Sequence, residues 1–131
     1  MIIGGLLVTH GNLGRILVEE TIRITGKADR LESLMTSGLS ASEITEQVSS
    51  YIQNDPWIVF SDCPGTAPTL RSYAAISQGQ AVITGMNLGM LISFVFKRET
   101  MPIHELATCL IHDGQRSLEV LWPILLPPRE D

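Results

Sequence analysis

Two residues of this chain have types and places that could do chemistry, and each directly follows an apolar, strand-like run. His10 ends the run in IIGGLLVTHGNLG, residues 2–14, and Asp62 ends the run in PWIVFSDCPGTAP, residues 56–68. A histidine so placed can be a nucleophile, a base, a metal ligand or a hydrogen-bonded loop residue. An aspartate so placed can orient a histidine through one ring nitrogen, or simply cap the turn or helix that follows. Both lead into small, flexible loops that open onto helix-like segments. Free backbone N–H groups and the helix dipole make such places receptive to an anion. The combination suits attack on phosphorus by the histidine, with the carboxylate fixing its tautomer and favouring the positive charge that develops. Gly11 and Gly65 would let the backbone approach the anion's oxygens. Neither loop pairs His or Cys at metal-ligand spacing, so no metal and no cofactor are expected.

The other candidates are weaker. His104 falls in the first turn of a helix-like segment and His112 later in the same segment, beside Asp113. Neither ends a strand, so both are read as surface or packing residues. Cys109 lies on an apolar helix face and is read as core. Cys63 follows Asp62 without a basic neighbour to activate it, and is read as loop packing.

Strand-like and helix-like segments alternate along the chain. Residues 2–8 read as a buried strand. Leu13, Ile16, Leu17, Thr21 and Ile24 then recur at helical spacing, with Gly26 as a stop. Residues 30–35 form a second, weaker strand. Ser40 with Glu43 makes a capping box for a helix whose apolar stripe is Ile44, Val48, Tyr51 and Ile52. Residues 56–61 form a third strand, followed by a helix to about Gln78. Residues 80–85 form a fourth, followed by a helix bearing Leu88, Leu91, Ile92, Val95 and Phe96. Pro102 opens a fifth helix whose face includes Leu106, Leu110, Leu118 and Leu121.

Strands separated by helices predict an α/β fold in a single domain, residues 1–131, with a parallel sheet covered on both faces. Right-handed crossovers favour a doubly wound order 2-1-3-4. In that order strands one and three are neighbours where the winding reverses, and ligands collect at their carboxyl ends. The topology thus brings His10 and Asp62 together.

Composition narrows the function classes. The chain has 131 residues, 44% hydrophobic and 18% charged, as expected of a globular domain. A net charge of −5 without a Lys/Arg cluster argues against nucleic-acid binding. Two cysteines are too few for a disulfide framework and fit a reducing compartment. No basic region precedes the first apolar run, so no signal peptide is expected. The longest apolar stretch, Met86 to Phe96, falls short of the roughly 20 residues that span a bilayer. The expectation is a cytoplasmic protein.

Three stretches then carry a likeness: GLLVTHGNLG, DCPGTAP and VITGMNLGML. The chain resembles the IIA component of the mannose/fructose family of the bacterial sugar phosphotransferase system, in register from Ile2 to about Leu121. The resemblance implies a phosphohistidine carrier, a protein-histidine phosphotransferase. It would accept a phosphoryl group from HPr on Nε2 of His10, oriented by Asp62, and pass it to a IIB component for sugar uptake. Membrane association would be indirect, through the permease. The resemblance also implies a homodimer, with an antiparallel C-terminal edge strand exchanged between subunits. Two departures stand out: Ala67 replaces a Ser/Thr in the aspartate loop, so that Thr66, one position earlier, would supply the hydroxyl facing the phosphoryl group, and Gly89 replaces a proline after Asn87.

Two other readings stand beside this. A regulatory IIA-like protein would use the same His10 to report phosphorylation state without sugar transport. The other is a flavodoxin-like or receiver-type binding domain; a receiver would carry acidic residues past strand one, where this chain has Thr9, His10 and Gly11.

Overall fold

A computed structural model describes residues 1–124 and 129. The elements follow as β1 (Gly4–Thr9), α1 (Leu13–Thr25), β2 (Leu31–Met35), α2 (Ala41–Ile52), β3 (Trp57–Ser61), α3 (Ala67–Ala75), β4 (Gln80–Thr84), α4 (Leu88–Lys97) and α5 (Ile103–Arg116). The four strands form one parallel sheet in the order β2-β1-β3-β4, as the alternation of elements predicts. Register places Val8 opposite Ser61 and Thr9 opposite Met35, so β1 and β3 end almost level.

Side chains alternate across the sheet and build two cores. Leu7, Ile58, Phe60 and Ile83 pack on one face against α1, α4 and α5, through Val18, Leu91, Phe94, Leu106 and Leu110. Leu6, Val8 and Val59 pack on the other against Ile44, Val48 and Ile52 of α2. Covering both faces explains why β1 and β3 are buried at every position. Gly5 is required inside β1, because a Cβ there would lie 2.6 Å from the Phe94 ring. The capping box of α2 is present: Ser40 Oγ accepts the Glu43 N–H, and Glu43 Oε1 accepts the Ser40 N–H.

Several boundaries and faces differ from the sequence reading. β1 begins at Gly4 and runs through Thr9. The α3 helix stops at Ala75, short of Gln78, because Ile76 is extended and Ser77 turns the chain back by pairing with Gln80. Tyr51 and Phe96 are exposed. The α4 helix is apolar nearly all round, which hides its phase; Met90, Leu91, Phe94 and Val95 form its buried face. The α5 helix ends at Arg116, and Leu118 and Leu121 lie beyond it, exposed. Gly114 occupies the buried position instead, where a Cβ would sit 2.6 Å from Met90 Cε. A Cβ at Gly89 would meet the rotatable Ser117 Oγ, just past the end of α5. Residues 118–124 form neither helix nor strand, so the fifth strand is not present among the described residues. Leu125 lies outside them.

Cys109 is not a core residue. It is half-buried between α4 and α5, where its Sγ accepts a hydrogen bond from Lys97 Nζ at 3.4 Å. The same ammonium lies 2.6 Å from Asp113 Oδ2, which also accepts from Ser93 Oγ. The Lys97 and Ser93 hydrogen bonds hold the Asp113 carboxyl down at about 2, against an ordinary 3.8. A carboxyl whose folded pKa is depressed contributes stability above its ordinary value and loses it as the pH falls toward the folded one. Thermal melts of the parent and Asp113→Asn should therefore be well separated at neutral pH. They should converge as the pH falls from about 4 to about 2.

Candidate functional site

β1 delivers His10 and β3 delivers Asp62 to the same crevice. His10 Nδ1 lies 2.8 Å from Asp62 Oδ2, and the His10 backbone N–H donates to that same oxygen at 3.1 Å. The His10 side chain is 59% exposed and the Asp62 side chain 15%. One carboxylate oxygen therefore holds both the ring and the backbone of one residue. With the Nδ1 proton donated to Asp62, Nε2 carries a free lone pair. Partial burial raises the Asp62 pKa, but the hydrogen bonds from the His10 ring and backbone outweigh it and hold the carboxyl below its ordinary 3.8.

The loop around His10 is pinned by hydroxyls that the sequence reading passed over. Thr9, 1% exposed, receives the Gly14 N–H on its Oγ1 at 2.8 Å, and the same hydroxyl donates to the His10 carbonyl at 3.1 Å. Thr36, just past β2, donates to the Thr9 carbonyl at 3.0 Å. The readable signal was a polar residue at the end of an otherwise apolar, buried strand, since a buried hydroxyl needs partners. Gly11 has a φ of +51°, the left-handed turn that starts α1 immediately behind His10.

The Asp62 loop is fixed in the same manner. Thr66 and Thr69 hydroxyls both donate to the Cys63 carbonyl, at 2.7 and 2.6 Å. Ser61 Oγ and Thr84 Oγ1 meet Thr69 Oγ1 at 2.6 and 3.2 Å, and the Gly85 and Met86 N–H groups bond the Ser61 carbonyl. Gly65 makes the turn at φ +76°. The Thr66 hydroxyl expected to face an anion thus has its proton engaged by Cys63.

The remaining candidates are scattered. His104 and His112 are exposed on α5, and Cys63 is exposed rather than packed. No cluster of His, Cys, Asp and Glu among the described residues has metal-binding geometry. No helix among them is long and apolar enough to cross a membrane.

Solved structures share this architecture. A phosphotransferase system component EIIA from Streptococcus agalactiae superposes with a TM-score of 0.84 at 20% identity, over 91% of this chain and 97% of that one. The mannose/sorbose specific IIA subunit from Enterococcus faecalis gives 0.81 at 21%, over 97% and 100%. A PTS IIA protein associated with a fucose utilization operon in Streptococcus pneumoniae gives 0.74 at 21%, over 92% and 93%. These likenesses establish the fold. Comparison with curated proteins returns no match. The model of the EIIA-man family, the PTS system fructose IIA component, matches residues 4–110, a span that takes in all four strands and both loops of the crevice, and the chain belongs to that family.

Proposed function

We propose that His10 accepts a phosphoryl group on Nε2 from the phosphohistidine of HPr and passes it to a IIB component, which phosphorylates an incoming sugar. The observation that carries this reading is the 2.8 Å pairing of His10 Nδ1 with Asp62, which leaves Nε2 as the nucleophile of an exposed ring. The N–P bond of the donor breaks as the bond to Nε2 forms. The donor ring recovers its lone pair, and the Nδ1 proton of His10 stays in place, so no proton has to cross. Asp62 balances the positive charge that the phosphorylated ring acquires. Transfer between two histidines is close to balanced in energy, so the protein's task is positioning and electrostatic support.

Free amides of the first turn of α3, from Ala67 and Thr69, are suited to the phosphoryl oxygens; Pro68 between them has none. Gly11 and Gly65 let the backbone come close. In this role the protein works in the cytoplasm, with a membrane association only through the permease. The test is incubation with phosphoenolpyruvate, enzyme I and HPr, read as intact mass. One acid-labile phosphoryl group is expected, and its discharge on adding a IIB component separates transport from a purely regulatory use.

The tail supports a homodimer in the same reading. Leu118, Val120, Leu121, Trp122 and Ile124 are exposed in the single chain, and β4 is an edge strand. Covering these side chains contributes several kcal/mol at about 25 cal/mol per Å², and exchange of an identical segment is a low-cost route to a dimer. Light scattering should find the full chain dimeric and a chain ending at Val120 monomeric. A full chain that is monomeric at high micromolar concentration would rule the exchange out.

A further inference from the structure

The turn behind His10 contains an asparagine in an unusual situation. Asn12 occupies the N-cap of α1, a position where its side chain ordinarily accepts an N–H of the first helical turn. Here it makes no such bond, with φ −103° and ψ 14° in place of the extended cap conformation. Thr9 has taken over the task, its buried hydroxyl receiving the Gly14 N–H at 2.8 Å. The Leu13 N–H bonds the His10 carbonyl at 3.4 Å, closing a tight turn from residue 10 to residue 13, and Asn12 O receives the Ile16 N–H. The Asn12 carboxamide is therefore released from capping, exposed, and carried two residues from His10 on a turn held at both ends.

The opposite loop offers backbone amides but no free side-chain donor. Ala67 has no hydroxyl, and the Thr66 and Thr69 hydroxyls are both engaged by the Cys63 carbonyl. The first turn of α1 has also spent the Leu13 and Gly14 amides inside the protein.

Resting on the phosphocarrier reading, we propose that Asn12 is a phosphoryl-binding residue. Its side-chain N–H donates to an oxygen of the group on His10 Nε2 and adds a side-chain hydrogen bond to those of the Ala67 and Thr69 amides. A neutral amide donor suits a dianionic group, because it stabilises charge without forming an ion pair that would retard release.

A cap and a phosphoryl donor respond oppositely to substitution. If Asn12 capped α1, Asn12→Ala would lower the melting temperature, and Asn12→Asp, a good cap, would leave both melting and transfer intact. The proposal expects unchanged melting for Asn12→Ala. It expects at least about tenfold slower phosphoryl acceptance from HPr, the loss of one hydrogen bond to a charged group, with Asn12→Asp slower still through repulsion of the phosphoryl group. Ala67→Ser in the Asn12→Ala background should recover much of the loss. Parent-like acceptance by either single variant would overturn the proposal.

A second measurement does not need HPr. With His104 and His112 replaced by Ala, phosphoramidate can phosphorylate His10 directly, and the Asn12 side-chain amide resonances should move downfield. If HPr fails to label the parent protein, the carrier reading falls while this measurement still decides the role of Asn12. Resonances that do not move on phosphorylation of His10 would overturn the proposal.

Discussion

His10→Ala is expected to abolish phosphorylation by HPr while leaving the fold intact. The His10 ring is mostly exposed and belongs to neither core, so its removal opens no cavity. The substitution breaks the 2.8 Å bond to Asp62, a carboxylate that still accepts the backbone N–H of residue 10. Circular dichroism and the melting temperature should match the parent within the spread of ordinary surface substitutions, about ±0.5 kcal/mol. His104 and His112 stand exposed on α5, so His104→Ala and His112→Ala should accept phosphate like the parent. The measurement is a time course of acid-labile, base-stable phosphate on each variant. Full labelling of His10→Ala would end the mechanism.

Asp62→Asn should retain the histidine and lose control over its tautomer. A carboxylate only accepts hydrogen bonds, so it selects the ring with its proton on Nδ1 and favours the positive charge of the phosphorylated state. A carboxamide can present its NH₂ instead and hold the opposite tautomer, with Nε2 protonated and unable to attack. By analogy with other oriented histidines, transfer should slow by about two orders of magnitude or more. The sign of the pH response follows from the depressed Asp62 pKa. Its stabilising charge is present above the ordinary 3.8 and disappears as the pH falls below that value. The rate gap between parent and variant should therefore narrow on the acid side. An unchanged rate for Asp62→Asn at neutral pH would remove the carboxylate from the mechanism.

The crevice was legible because it depends on topology. A buried run ending in His10 and another ending in Asp62 become neighbours once the order 2-1-3-4 is inferred, and the sheet has that order. The Ser40–Glu43 box was legible because capping is written in residues three apart. What lay hidden depends on hydrogen bonds between distant segments. Thr36 reaches the Thr9 carbonyl from just past β2, and Ser61, Thr69 and Thr84 meet only after folding. The end of α5 was missed because Leu118 and Leu121 continue an apolar spacing after the helix has stopped, whereas the buried position is Gly114, which has no side chain to advertise it. The phase of α4 was missed for the opposite reason, an excess of apolar residues.

The two bonds from one residue to Asp62 Oδ2 form a chelate. The backbone bond fixes the loop and the ring bond presets the imidazole on it before any partner arrives. The ordering entropy is met when the chain folds rather than at each encounter. A preset ring also has no preferred direction of travel. In the proposed carrier role, loading and unloading would pass through one posture, and the relative occupancy of donor and acceptor, rather than the carrier, would decide which way the phosphoryl group flows.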